Sequence, residues 1–145
     1  MSRELSDRAP RTGINTGLGR TLTAVYALFA IAATGRSVVQ LVADPGKAPL
    51  AYGLSATAAV IYLVATVCLA IGDRARRVAI LACSVELAGV LIVGAISYAV
   101  PALFPDRTVW SHFGQGYGYL PLVLPIAGLW WLLRNRPGPR PQDDR

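Results

Sequence analysis

The sequence predicts an all-α membrane protein, built as a bundle of four antiparallel transmembrane helices with both termini in the cytoplasm. The 145 residues are 54% hydrophobic and only 15% charged, and the mean hydropathy is +0.47, which is too apolar for an ordinary water-soluble domain. Four windows of the sequence provide the roughly 20 mostly apolar residues that a spanning helix needs. The charged residues are grouped between these windows rather than dispersed through them.

The first predicted helix covers residues 21–42 and the second covers residues 50–71. A Pro-Gly pair at 45–46 separates them, and both residue types interrupt helices. Residues 1–20 contain few apolar side chains and are predicted to form a disordered basic tail. An Ala-Ile-Ala run at 30–32 resembles a signal-peptide cleavage motif, but the apolar character continues past it. An uncleaved helix is therefore expected.

The third predicted helix covers residues 78–100 and the fourth covers about residues 117–133. A short polar run at 72–77 joins the second helix to the third, which predicts a tight hairpin between antiparallel neighbours. The one substantial loop lies at 101–116, and the fourth helix contains two prolines that are expected to bend it. Residues 134–145 are rich in proline and are predicted to form a disordered C-terminal tail.

The positions of the positive charges predict the orientation. Arginines precede the first helix, fill the run between the second and third helices, and follow the fourth. The connections on the other side carry only Lys47 and Arg107. Because cytoplasmic loops carry the excess of Lys and Arg, both termini are predicted to be cytoplasmic. This topology in a lipid bilayer explains the net charge of +6, and no nucleic-acid partner is expected.

Two ionisable residues lie inside predicted helices, Arg36 in the first and Glu86 in the third. A charge at membrane depth is costly unless it is paired or hydrated, so it marks a functional site or a structural contact. Gln40 follows Arg36 by one turn on the same helix face. The two charges differ in depth by about 10 Å, but an arginine side chain leans toward the N-terminus of its helix. Arg36, Gln40 and Glu86 are predicted to form an intramembrane polar or ion-pair site that ties the first helix to the third.

Two alternatives stay open for these charges. In the first, Arg36 reaches the headgroups or pairs with Asp44 or Asp106, and Glu86 stays protonated at the centre of the bundle. In the second, Glu86 is the titrating group of a small proton-coupled transporter or channel that works as a homo-oligomer. The structural contact is preferred, because few polar residues are available to line a permeation path.

The loop at 101–116 is the most distinctive stretch outside the helices, and Asp106, Trp110 and His112 mark it as a candidate partner-contact surface. Asp106 and His112 have no accompanying nucleophile or oxyanion arrangement. A loop that caps the bundle, or that docks on a membrane-protein partner or a second copy of the chain, is therefore preferred over a catalytic loop.

No catalytic, metal or cofactor site is predicted, and the chain is not expected to be an enzyme. His112 is the only histidine, so no metal-ligand cluster with ordinary spacing can be drawn. Cys68 and Cys83 do not form a Cys-x-x-Cys pair, and buried cysteines on the reducing cytoplasmic side are expected to pack as small apolar residues.

Three segments carry a resemblance to a known group of proteins: Arg-Ser-Val-Val-Gln at 36–40, Trp-Ser-His-Phe-Gly at 110–114 and Gly-Tyr-Gly-Tyr-Leu-Pro-Leu-Val-Leu-Pro at 116–125. In these segments the chain resembles uncharacterised small four-helix integral membrane proteins of high-G+C bacteria, over about residues 20–133. The resemblance implies a bacterial plasma-membrane location and brings no activity with it. The function expected from the sequence is an accessory or interaction component of that membrane.

Overall fold

The computed structural model describes residues 17–135, and this part of the chain is helical and contains no β-strand. Most of the predicted tails at 1–20 and 134–145, namely residues 1–16 and 136–145, lies outside the described residues. The long helices are α1 (Gly17–Ala43), α2 (Pro49–Ile71), α3 (Arg76–Ala99) and α4 (Leu120–Arg134). Shorter 3-10 segments occur at Asp73–Ala75, Pro101–Leu103 and Ser111–Tyr117.

Helix α1 begins at Gly17, inside the segment predicted to be a tail. The hydroxyl groups of Thr21 and Thr23 donate to the carbonyl oxygens of Gly17 and Gly19, at 3.0 and 2.8 Å. The carbonyl oxygens of Gly17 and Gly19 therefore each accept a side-chain hydrogen bond from within the helix.

Three stretches are long and apolar enough to cross a membrane: α1, α2, and the stretch Asp73–Ala99, which contains α3. Their outward faces carry large apolar side chains that nothing in the described part of the chain covers, among them Leu28, Ile31, Val39, Val60, Leu81 and Ile92. Lipid is the solvent that accepts such surfaces, and helices satisfy their own backbone hydrogen bonds in it. The prediction of an all-helical chain is confirmed for the described residues, which contain three helices able to span a membrane, or four if the bent pair counts as one span.

The fourth predicted helix, 117–133, is wrong at its start. The 3-10 segment Ser111–Tyr117 precedes α4 and is bent from it by 99°, so the two count as a fourth span only if they are taken together. Gly118 and Tyr119 separate them with left-handed backbone, at φ values of 64° and 60°. Helix α4 has only 15 residues.

Neighbouring helices pack in sequence order, with α1 against α2, α2 against α3 and α3 against α4. Residues 44–48 and 100–107 lie at one end of the molecule, which we call the loop end, and from there the chain turns back into the bundle, where Trp110 bonds to Tyr62. At the loop end, Lys47 Nζ lies 3.5 Å from Asp106 Oδ1. At the opposite end, the tail end, Arg76 Nη1 donates to the backbone carbonyl of Asn135 at 2.8 Å.

Candidate functional site

The structure separates the two charges that the sequence analysis placed in one site. Glu86 accepts a hydrogen bond from Tyr26 of α1, whereas Arg36 of the same helix contacts the loop end. Ten residues separate Tyr26 from Arg36 on α1, which is about 15 Å along the helix axis. The predicted tie between Arg36 and Glu86 is therefore wrong, because the arginine finds acceptors nearer to its own level. Glu86 does join α1 to α3, through a tyrosine.

The first site is a buried polar cluster around Glu86, whose side chain has no exposed surface. Tyr26 Oη donates to Glu86 Oε2 at 2.8 Å and also lies 3.5 Å from Cys83 Sγ. The Tyr62 hydroxyl of α2 faces the same carboxyl group. A buried carboxyl group with two tyrosine neighbours is a polar network that fixes the positions of three helices.

Trp110 extends this cluster from the loop end. Its indole Nε1 donates to Tyr62 Oη at 3.2 Å, and its ring lies over Gly89 of α3. Only 3% of Trp110 is exposed, so this residue of the predicted partner-contact loop belongs to the core and cannot be a contact surface. A tryptophan side chain is apolar except for its indole N–H, so it suits a core position when that N–H has a hydrogen-bond acceptor.

The second site surrounds Arg36 at the loop end. Its Nη1 donates to Tyr117 Oη at 2.9 Å, and its Nη2 donates to the backbone carbonyl of Arg107. Both acceptors are neutral. Because one lies in the 3-10 segment Ser111–Tyr117 and the other in the loop before it, Arg36 joins α1 to this part of the chain. The first open alternative predicted that Arg36 reaches the headgroups or pairs with Asp44 or Asp106. Arg36 does turn toward the loop end, but its hydrogen-bond partners are Tyr117 and the backbone of Arg107 and not an aspartate.

A cavity of about 300 Å³ lies beside the Arg36 guanidinium. Arg107, Gln115 and Gly116 are exposed and lie at its mouth, whereas Ser111 is buried beneath them. None of the residues that line it is acidic. The cavity therefore presents cationic and neutral polar groups only.

The backbone at the cavity is unusual. His112, Phe113 and Gly114 have consecutive positive φ values of 53°, 60° and 82°, a region that costs a non-glycine residue about 1–2 kcal/mol. The surrounding structure holds this conformation, since the His112 backbone N–H donates to Ser97 Oγ at 2.8 Å. The His112 ring packs edge-on against Tyr98, with ring centroids 4.5 Å apart.

The remaining predicted site residues lie apart from both sites. Gln40 is half-buried, and its Oε1 has no hydrogen-bond partner among residues 17–135. Asp106 accepts from Tyr52 Oη at 2.6 Å and pairs with Lys47, so both of its oxygens have partners. The Tyr52 hydroxyl, and after it the charge of Lys47, hold the pKa of Asp106 below its usual range.

Several functional side chains were missed from the sequence, namely Tyr26, Tyr62 and Tyr117. A signal was available for the first two. Tyrosines that sit at a membrane interface lie near the ends of spanning helices, whereas Tyr26 and Tyr62 lie well inside theirs. A tyrosine in mid-helix must find a partner for its hydroxyl group within the protein.

Comparison with protein-family models, with curated proteins and with solved structures gives no match for this chain. Among residues 17–135, no group of three or more His, Cys, Asp or Glu side chains is placed to hold a metal ion. Cys68 and Cys83 are both buried free thiols.

Proposed function

We propose that the chain is a four-helix antiparallel membrane bundle of the bacterial plasma membrane, with both termini cytoplasmic. Residues 111–134 serve as its fourth, bent span. The proposal is supported by three arginines at the junction of α2 and α3, where Arg74 lies in the connection and Arg76 and Arg77 begin α3, since positive charge collects on the cytoplasmic side. The resemblance to small membrane proteins of high-G+C bacteria supports the same location.

This orientation predicts which exposed arginine is accessible from outside the cell. Arg107 and Arg74 are both exposed, one at the loop end and one at the tail end. Each is replaced by cysteine, and intact cells are treated with a membrane-impermeant maleimide. We expect Arg107→Cys to be labelled in intact cells and Arg74→Cys only after permeabilisation. The reverse pattern would show that the termini are outside.

Within that membrane, the chain acts as an accessory or interaction component and not as an enzyme. The observation that supports this role is the Tyr26–Glu86 hydrogen bond, because it gives the buried carboxyl group a structural partner. A group that stabilises helix packing has its polar atoms engaged by neighbouring helices. Partners of this component are a membrane protein or a second copy of the chain, within the lipid bilayer.

One observation favours a second candidate, a small proton-coupled transporter or channel that acts as a homo-oligomer. Glu86 Oε1 is buried and has no hydrogen-bond partner among the described residues. Intramembrane carboxyl groups of this kind carry protons in transporters. Glu86 would then be the titrating group.

Substitutions at Glu86 separate the two functions. For the accessory role, we expect Glu86→Leu to lower the free energy of unfolding by about 1–3 kcal/mol, because the buried Tyr26 hydroxyl loses its acceptor. Glu86→Gln keeps an acceptor for Tyr26 but adds an N–H₂ group without a partner, so a smaller loss is expected. Denaturant unfolding in detergent measures both, with Ser84→Ala, an exposed position on the same helix, as the control.

The same variants are reconstituted in liposomes to measure proton flux. The accessory role predicts that the unaltered chain carries no flux above protein-free liposomes. The transport role predicts that Glu86→Gln folds normally and loses a pH-dependent flux that the unaltered chain shows. Unchanged stability together with unchanged flux would reject both functions.

A further inference from the structure

We propose that the cavity beside Arg36 is a binding site for a phosphate-type oxyanion, carried by a small solute or by a phospholipid headgroup. The proposal concerns a site other than Glu86, and it does not depend on which side of the membrane the loop end faces.

Within the described part of the chain, Arg36 has no negatively charged hydrogen-bond partner. Its two terminal nitrogens donate to a phenol and to a backbone carbonyl, and neither of these acceptors carries a negative charge. The loop carboxylate Asp106 is within electrostatic reach of Arg36, but its two oxygens are occupied by Tyr52 and Lys47. Arg36 therefore makes no ion pair with Asp106 and has N–H donors left for a ligand. A guanidinium has five donors, arranged to suit carboxylate and phosphate groups.

The wall of the cavity carries positive charge and neutral polar groups. Arg107 is a second cation on this wall, and no acidic residue lines it. The side chains of His112 and Gln115 have no hydrogen-bond partner in the range 17–135, so they are available to a ligand. Two arginines with neutral donors favour an anion that carries more than one negative charge or several acceptor oxygens, which phosphate does. A volume of about 300 Å³ exceeds that of one inorganic phosphate, which leaves room for the molecule that carries it.

The backbone beside the cavity has a strained conformation. Residues 112–114 keep three consecutive left-handed conformations, and they are fixed by the contacts of His112 with Ser97 and Tyr98. Backbone strain of this kind is concentrated at binding and active sites, where the surrounding fold maintains it. His112, the first residue of this strained segment, lines the Arg36 cavity.

The test measures binding of inorganic phosphate to the full chain in detergent, by calorimetric titration. Gln115→Glu is the principal variant, since it adds a carboxylate at the exposed mouth and alters none of the hydrogen bonds of Arg36. Arg36→Gln is the second variant. Arg77→Gln, at the tail end, is the control because it changes the net charge by the same amount as Gln115→Glu and lies far from the cavity.

We expect phosphate affinity to fall at least about tenfold in Gln115→Glu and in Arg36→Gln, the loss that corresponds to a charged hydrogen bond. Arg77→Gln is expected to remain within about twofold of the unaltered chain. If Arg36→Gln does not fold, the Gln115→Glu result decides alone.

A second measurement distinguishes the two sources of the oxyanion. The chain is purified in the presence of phosphatidylglycerol or phosphatidylcholine, and retained lipid is counted by native mass spectrometry. A headgroup site retains phosphatidylglycerol in preference and loses it in Gln115→Glu, whereas a solute site binds free phosphate without selective lipid retention. The proposal is overturned if neither ligand binds, or if Gln115→Glu binds as well as the unaltered chain.

Discussion

Trp110→Ala is expected to lower the free energy of unfolding by about 3 kcal/mol or more, the usual cost of truncating a buried aromatic residue. The indole lies almost wholly inside the protein, and its removal leaves a cavity beside α3. The variant also deprives the Tyr62 hydroxyl of a donor next to Glu86. Denaturant titration in detergent, followed by helical circular dichroism, measures the loss.

Trp130→Ala is the matched control for this prediction. Trp130 is the same residue type at the tail end, but 54% of it is exposed, where detergent or lipid replaces its contacts. We expect a change of less than about 1 kcal/mol there. Equal losses at Trp110 and Trp130 would contradict the placement of Trp110 in the core.

Gly89→Ala is expected to destabilise the chain by about 1–3 kcal/mol, because an added methyl group overpacks a filled interface. A Cβ atom at this position would lie 2.7 Å from Cζ3 and 2.9 Å from Cη2 of Trp110. The rigid indole is held by its bond to Tyr62 and cannot move aside without breaking it. The same unfolding assay applies.

Gly53→Ala, on the neighbouring helix α2, is expected to have the opposite effect on stability. No atom lies within 4 Å of a Cβ built at Gly53, so alanine there is expected to stabilise α2 by about 0.5–1 kcal/mol through its helix propensity.

In a Trp110→Ala background, Gly89→Ala should no longer destabilise the chain, since the effects of residues in contact are non-additive. A persistent cost in that background would place the clash elsewhere.

The second and third helices were predicted well from the sequence, because apolar length is a local property, whereas α1 begins four residues before its predicted start. The predicted boundaries 50–71 and 78–100 differ by only a residue or two from α2 (Pro49–Ile71) and α3 (Arg76–Ala99). The start of the fourth helix was missed because the left-handed residues at Gly118 and Tyr119 leave no trace in hydropathy. That break depends on backbone conformation and not on composition.

The sites were harder to predict, since they depend on contacts between distant parts of the chain. Arg36 and Glu86 were identified correctly as unusual residues, but counting depth along helices could not show that Tyr26 and Tyr117 supply nearer partners. Likewise, Trp110 was predicted to be a contact residue because it lies in the same loop as Asp106 and His112. Only the fold brings it over Gly89.

The brevity of α4 affects the bilayer around the protein. Its 15 residues reach about 22 Å, whereas the hydrocarbon layer is about 30 Å thick. In the proposed bundle, α4 is the regular part of the fourth span and the bent 3-10 segment Ser111–Tyr117 is the rest. A regular part this short draws headgroups and water inward on its side. Arg36 lies seven residues before the end of α1, about 10 Å below it, which is close to the depth of that mismatch. Local thinning of the membrane would thus hydrate Arg36 and give water and polar solutes access to its guanidinium.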